Sequence, residues 1–253
     1  MLQLCKKQWK WWAPLLLLAI LTPWTPWIDL HAARYFYKEG HFSQNAFLFF
    51  LYQHGERAGF AIGGLAGIIF LITFFFQKFR QYRKGMLLIG LTLVIGAGLI
   101  TNVLCKGYLG RPRPKQLSEF GGQLTYRCFW NPNLNPSRVP QKSLPSGHVA
   151  MGFSYLALIV VGRRHELRWL QGIGLCFTLF WGPGLMLARV AQGGHFISDV
   201  ILAACVMWWT VHVLDLILYQ FPWGPLLQSR LNPLSTNGIK NANTTIQNTP
   251  KKE

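Results

Sequence analysis

Acidic residues are scarce in this sequence. Only 8 of its 253 residues are Asp or Glu, and charged residues of both signs make up 13% of the chain. A soluble domain ordinarily has about twice that fraction of charged residues. The scarcity of carboxylates also argues against a site with two metal ions. We therefore expect a protein that is not an ordinary soluble domain and that uses no metal and no other cofactor.

The sequence also lacks any cysteine spacing typical of a zinc or redox site, although it contains 5 cysteines. Cys176 and Cys205 lie in apolar segments, so we expect them to be small buried apolar side chains. Cys105 and Cys128 lie near one long loop. Whether they form a disulfide is left open, because the sequence does not determine the distance between them.

Apolar residues make up 51% of the chain, and the mean hydropathy is +0.24. Six segments approach the length of about 20 residues that a bilayer requires, and a backbone in lipid must satisfy its polar groups as a helix. They cover residues 13–28, 58–76, 86–104, 149–161, 169–187 and 200–221. We therefore predict an all-α, polytopic membrane protein with about six transmembrane helices. The single transmembrane domain covers residues 1–229, and a polar, disordered cytoplasmic tail covers residues 230–253.

Two stretches near the N-terminal end need a separate interpretation. The first apolar segment follows lysines, as a signal peptide does, but no small-x-small cleavage site follows it, so a retained helix is predicted. Residues 42–52 are aromatic but too short to span a bilayer. They are predicted to lie in the outer interface.

Lysine and arginine follow the rule that cytoplasmic loops are positively charged. Basic residues precede the first segment and lie between the second and third, and between the fourth and fifth. This pattern predicts that both termini are cytoplasmic and that the loop of residues 105–144 lies on the opposite face. With the compact size of the chain, it fits a bacterial inner membrane with a periplasmic loop.

The net charge of +17 raises the possibility of a nucleic-acid partner. The basic residues are distributed between long apolar segments, however, and no separate basic helix is present. A membrane surface and a phosphorylated lipid are the more natural anionic partners, and no nucleic acid is predicted. The oligomeric state is left open.

Three short clusters combine residue types that bind and transfer phosphate. They are Lys106-x6-Arg113-Pro114, Pro145-Ser146-Gly147-His148 and Arg189-x5-His195-x3-Asp199. In the predicted topology all three lie at helix ends on the non-cytoplasmic face. We therefore predict one active site there, formed by the three clusters together.

The histidines are the candidate reacting groups. His195 and Asp199 are spaced i, i+4 on one helix face, so Asp199 is predicted to accept the Nδ1 proton of His195. The Nε2 atom of His195 then becomes a directed nucleophile. His148 is predicted to protonate the leaving oxygen and later to activate water.

The remaining site residues are predicted to bind phosphate oxygens. Lys106, Arg113 and Arg189 supply positive charge. Ser146 is a natural N-cap, and the first turn that it starts, with Gly147, directs free N–H groups outward. Arg111 and Lys115 lie close by in sequence, but surface charges facing lipid head groups are the favoured interpretation for both.

In this order and spacing, the clusters resemble the three-part signature of the type 2 phosphatidic acid phosphatase superfamily. This resemblance implies an all-helical fold, a histidine nucleophile, metal independence and an outward-facing site. Members act on phosphatidic acid, phosphatidylglycerol phosphate, undecaprenyl diphosphate and the phosphates of lipid A. The loop run Glu119-Phe120-Gly121-Gly122, followed by aromatic residues, is similar to bacterial members and does not choose among these substrates.

The leading hypothesis is a membrane lipid phosphatase that acts through a phosphohistidine intermediate. One alternative is a lipid phosphotransferase, in which a second lipid rather than water accepts the phosphoryl group. An alternative from another class is a transporter or flippase that only binds anionic lipid. The sequence does not separate the first two.

Overall fold

The computed structural model describes residues 2–131, 133–134 and 140–221. The predicted polar tail, residues 230–253, lies outside them. The all-α prediction is confirmed. The α-helices are α1 Leu2–Leu21, α2 Thr25–Phe36, α3 Ala46–Phe75, α4 Arg83–Leu91, α5 Lys106–Tyr108, α6 Gly147–Phe153, α7 Leu156–Arg164, α8 Arg168–Ala191 and α9 Ile197–Asp215.

Shorter elements connect these helices. A π-helix, Thr92–Cys105, continues directly from α4. The 3-10 turns cover Thr22–Trp24, Gln77–Tyr82, Pro114–Gln116 and Ser118–Phe120. Strands β1 Tyr37–Lys38 and β2 His41–Phe42 form a small antiparallel hairpin.

The chain divides into two compact units, Met1–Asp215 and Leu216–Glu253. In the second unit, the described residues begin with a short π-helix, Leu216–Gln220. The predicted domain boundary after residue 229 stays a prediction.

Five helical stretches of the described residues are long and apolar enough to cross a membrane, and each matches a predicted segment. They are Trp9–Phe36, Ala46–Phe75, Gln77–Cys105, Arg168–Ala191 and Ile197–Gln220. The remaining predicted segment, residues 149–161, is divided at Ser154 and Tyr155 into α6 and α7. The Ser154 hydroxyl donates a hydrogen bond to the Met151 carbonyl at 2.7 Å. This side chain competes for the backbone acceptor at the break, as serine does where helices bend.

Helix α3 begins earlier than the sequence predicts. It has 30 residues, and the Asn45 side chain caps it by accepting from the backbone N–H groups of Phe47 and Leu48. At 1.5 Å per residue it is about 45 Å long, which exceeds the hydrocarbon core of about 30 Å. Residues 42–52 therefore end the hairpin and start α3, and their position in the outer interface stays a prediction.

The short helix α6 lies at the centre of the first unit and packs against α3, α8, α9 and the π-helix. Buried apolar side chains surround its first turns: Val149, Leu185, Val190, Val200 and Ala203. A second group of buried residues, Ala33, Leu117, Phe120 and Phe196, packs the loop after α5 against α2 and the hairpin. The first cluster includes Val149, the residue after His148, and the second includes Phe196, the residue after His195.

The predictions about cysteine have mixed outcomes. Cys205 is buried, as expected, but Cys176 is exposed on α8, a helix whose outer face is available to lipid. Cys105 and Cys128 are both free thiols, so they do not form the disulfide that was left open.

Candidate active site

The three clusters predicted from the sequence come together in the structure. Burial, and then the positive charges of Arg189, Arg113 and Lys106, hold the pKa of His195 well below its ordinary value. Burial and the same three cations lower the pKa of His148 to about 3. Since each cation acts on both histidines, the five side chains share one site. The roles assigned to them from the sequence stay predictions.

His195 lies in the turn between α8 and α9 and is 2% exposed. Its Nδ1 atom is 2.5 Å from the backbone oxygen of Ser143 and 3.9 Å from the nearest oxygen of Asp199. A carbonyl oxygen only accepts hydrogen bonds, so Nδ1 carries the proton and Nε2 has the free lone pair. The prediction that Asp199 accepts the Nδ1 proton directly is therefore wrong, because the Ser143 carbonyl lies closer.

Asp199 acts on the segment that contains this carbonyl. It accepts hydrogen bonds from the Ser143 hydroxyl at 2.5 Å and from the Phe196 backbone N–H at 2.9 Å. The Ser143 hydroxyl therefore binds Asp199, while the backbone oxygen of the same residue binds Nδ1 of His195. Its effect on His195 passes through Ser143.

Arg111 is fully buried, so its interpretation as a surface charge is wrong. It forms ion pairs with Asp29 and Asp199, and it donates to the Ser198 hydroxyl at 2.8 Å. Burial lowers the pKa of Arg111, but the two carboxylates raise it further, and the net shift is upward.

Asp29 completes this buried network from α2. Its carboxylate accepts from the Ser198 backbone N–H at 2.9 Å and from the Tyr126 hydroxyl at 3.0 Å. Sequence reasoning missed this residue. In a chain with 8 acidic residues, an Asp next to an apolar segment was an available signal.

Among the residues predicted to bind phosphate, Arg189 combines burial with an unsatisfied donor. The residue is 7% exposed, its Nη1 donates to Gln192 at 2.9 Å, and its guanidinium lies 4.6 Å from the centre of the Tyr52 ring. Within the part of the chain that the structure describes, its buried Nε has no hydrogen-bond partner. Buried donors without an acceptor are rare, and this one fits the predicted role of Arg189 in binding a phosphate oxygen.

Lys106 and Gly147 approach each other closely. The Nζ atom of Lys106 donates to Asn102 at 2.6 Å, and burial together with the nearby cation Arg113 lowers the lysine pKa to about 8. A Cβ atom on Gly147 would lie 2.7 Å from the Asn102 oxygen and 2.9 Å from this Nζ. A larger residue at this position would require the ends of the Asn102 and Lys106 side chains to shift.

The predicted N-cap at Ser146 is confirmed: its hydroxyl accepts from the Val149 backbone N–H at 3.5 Å, and α6 begins at the next residue. Lys115 is exposed, as expected, yet burial and the charges of Arg113 and Arg189 lower its pKa. Lys142 also acts electrostatically on Lys106. These two lysines add positive charge around the site.

Residues 85–223 match the family model of the PAP2 superfamily. The chain is 32% identical over 158 residues to the lipid A 4'-phosphatase of Francisella tularensis subsp. novicida, which covers 60% of this chain and 68% of the relative. It is 34% identical over 112 residues to the lipid A 4'-phosphatase of Rhizobium leguminosarum, covering 44% of this chain and 45% of the relative. The protein of the same name from Rhizobium etli is 32% identical over 126 residues, covering 49% and 46%. No solved structure matches the chain.

The chain belongs to the PAP2 superfamily, as its motifs led us to expect. It is a membrane lipid phosphatase, an integral bacterial membrane protein whose substrate is a phosphorylated lipid. Asp29 and Glu56 both lie outside the matched residues 85–223.

Proposed function

We propose that the protein hydrolyses a phosphate monoester of lipid A at the periplasmic face of the inner membrane, with both termini in the cytoplasm. The reaction proceeds through a phosphohistidine on His195. The observation that carries this proposal is the Nδ1 hydrogen bond of His195 to Ser143 at 2.5 Å, which leaves Nε2 unprotonated beside three cations. The substrate is chosen because all three similar curated proteins are lipid A 4'-phosphatases.

In the first step, Nε2 of His195 attacks phosphorus in line with the departing oxygen. The P–N bond forms as the P–O bond breaks, and His148 gives a proton to the leaving sugar oxygen. Lys106, Arg113 and Arg189 neutralise the negative charge on the non-bridging oxygens, with the Gly147 amide as a further donor. The Ser146 amide itself donates to the Asp199 carbonyl at 3.5 Å. The buried Nε of Arg189 gains its acceptor in this complex.

In the second step, water attacks phosphorus and the P–N bond breaks. His148, now neutral, accepts a proton from the water and so returns to its protonated form. Inorganic phosphate leaves, and His195 recovers its free Nε2. The two steps need no electron acceptor and no cofactor.

An apolar groove supports a lipid substrate over a soluble phosphate ester. The groove has a volume of about 560 Å³ and lies between α3 and the π-helix, where Phe60, Leu93 and Val94 line it. Glu56 and Asn102 form its polar end, and they contact His148 and Lys106 respectively. A ligand with its phosphate among the cations can therefore place an acyl chain in the groove.

The test measures phosphate release by the purified protein in detergent micelles from lipid A, undecaprenyl diphosphate, phosphatidylglycerol phosphate and phosphatidic acid. We expect the highest kcat/KM with lipid A, no need for an acceptor lipid, and full activity in EDTA. His195→Ala is expected to abolish release, whereas His31→Ala, which changes an exposed histidine on α2, is the matched control.

Each competing function predicts a different result. A higher kcat/KM with another lipid overturns the choice of lipid A. Release that appears only with an acceptor lipid identifies a phosphotransferase. Lipid flipping that His195→Ala retains, without phosphate release by the unmodified protein, identifies a flippase.

A further inference from the structure

A carboxylate outside the three clusters faces the second histidine of the site. The Oε1 atom of Glu56 lies 3.2 Å from Nδ1 of His148, on the central part of α3. Both side chains are partly shielded, with 39% of Glu56 and 19% of His148 exposed. Among the acidic residues that the structure describes, Glu56 is the one paired with this histidine.

His148 needs such a partner because its other charged neighbours are positive. Three elements present cations to it: Lys106 on α5, Arg113 in the following loop and Arg189 on α8. From α3, the Tyr52 ring stacks on the imidazole with 4.5 Å between ring centres. Burial and the cations lower the pKa of His148 to about 3, so they disfavour its protonated form. A general acid in this position requires a nearby negative charge to stabilise its protonated form.

The packing of α3 brings Glu56 to this position. A Cβ atom on the neighbouring residue Gly55 would lie 2.7 Å from Leu185 of α8, and one on Gly59 would lie 2.7 Å from Met151 of α6. Small residues one turn apart allow helices to approach closely in a membrane.

We propose that Glu56 is a positioning residue for His148: its carboxylate accepts the Nδ1 proton, directs Nε2 towards the leaving oxygen and stabilises the imidazolium that donates the proton. The inference rests on the proposed phosphatase mechanism. The transferred proton moves from Nε2 of His148 to the leaving oxygen as the P–O bond breaks. Glu56 remains a carboxylate throughout and takes no direct part in the bond changes at phosphorus.

Comparing substrates with two different leaving groups distinguishes this positioning role from a purely structural one. An alkoxide leaving group, as in a lipid or sugar phosphate, needs a proton when the P–O bond breaks, whereas 4-nitrophenolate leaves without one. The experiment compares single-turnover release of the leaving group from lipid A and from 4-nitrophenyl phosphate, for the unmodified protein and Glu56→Gln. Single turnover isolates the first step from the hydrolysis of the phosphohistidine.

We expect Glu56→Gln to slow release from lipid A by about 10- to 100-fold, within the usual contribution of general acid catalysis, and release from 4-nitrophenyl phosphate by less than about 3-fold. His148→Ala should show the same dependence on leaving group. The double variant should be little slower than His148→Ala alone, because both changes remove one function. Glu119→Gln, which removes an exposed carboxylate paired with Arg34, is the control.

Equal slowing of both substrates by Glu56→Gln, or no slowing with lipid A, overturns the positioning role. The nitrophenyl substrate also reports folding, since a misfolded variant loses both activities. If lipid A is not cleaved but another lipid phosphate is, the same comparison is made with that lipid. An unmodified protein that cleaves neither class of substrate contradicts the proposed function itself, and the inference with it.

Discussion

Arg111 and Asp29 form a fully buried ion pair, with 2.7 Å between a guanidinium nitrogen and a carboxylate oxygen. The same guanidinium pairs with Asp199 through its other terminal nitrogen. One arginine therefore balances two buried carboxylates from α2 and α9. The pair connects the first transmembrane stretch to the segment that holds His195.

Replacing Arg111 should destabilise the protein strongly. Arg111→Leu leaves two carboxylates buried without a positive partner, and breaking a buried pair in this way costs about 3–5 kcal/mol. The matched control is Arg34→Leu, which breaks the exposed pair with Glu119 and should cost no more than about 1 kcal/mol. Thermal unfolding in detergent, followed for both variants, measures the difference. Equal melting temperatures would contradict the structural role of Arg111.

Asp199→Asn should lower kcat, but by a smaller factor than is seen when an enzyme loses a carboxylate bonded directly to its catalytic histidine. Removing the direct partner in a serine protease costs about 10⁴-fold. Because Asp199 acts here through Ser143, we expect about a 10- to 100-fold loss in kcat, with little change in KM. Ser143→Ala removes the hydroxyl bonded to Asp199 but keeps the carbonyl bonded to His195.

The two changes should be non-additive when combined, since they interrupt the same connection. Steady-state kinetics of the single and double variants tests this. A loss near 10⁴-fold in Asp199→Asn, with Ser143→Ala unaffected, would instead indicate direct contact between Asp199 and His195 during the reaction.

The parts of this structure that the sequence predicts are those with local signals. Long apolar windows identified the transmembrane stretches, and the spacing of the clusters at helix ends identified the residues that meet in the site. The pairing of Asp29 with Arg111 joins positions 82 residues apart, and no local pattern marks it. The Ser143 carbonyl is a backbone group and has no residue-type signal. The break at Ser154 coincides with one side-chain hydrogen bond, and averaging hydropathy over a window of residues does not detect such a bond.

The catalytic efficiency should fall as the pH rises through about 8. Burial and the neighbouring cations lower the pKa of Lys106 to about 8, so its positive charge is present below this pH and lost above it. The loss weakens phosphate binding and should appear as a basic limb in kcat/KM. In Lys106→Arg the guanidinium stays charged, and the limb should move to higher pH. If the basic limb stays at the same pH in Lys106→Arg, a group other than Lys106 causes it. Lys38→Arg, which changes an exposed lysine, is the control.

Gly147→Ala should impair the site through Lys106. The added Cβ atom would lie 2.9 Å from the lysine Nζ and 2.7 Å from the Asn102 oxygen, so the lysine must move. A displacement of about 1 Å can cost up to about 100-fold in rate. We expect a loss approaching this size in kcat/KM, measured by phosphate release. Gly172→Ala on α8 is the control, because a Cβ atom there meets nothing within 4 Å; equal activity of the two variants would contradict the expectation.

Narrowing the apolar groove should affect long-chain substrates selectively. Gly64 lines the groove, whereas Gly67 on the same helix does not, and a Cβ atom at either position meets nothing within 4 Å. Gly64→Leu adds a branched side chain to the space assigned to an acyl chain, while Gly67→Leu is a matched change outside it. We expect Gly64→Leu to raise KM for a long-chain lipid phosphate by about 10-fold, the equivalent of losing about two buried methylene groups, and to leave KM for 4-nitrophenyl phosphate unchanged. If Gly64→Leu raises KM for both substrates equally, or if Gly67→Leu has the same effect, the acyl chain does not occupy this groove.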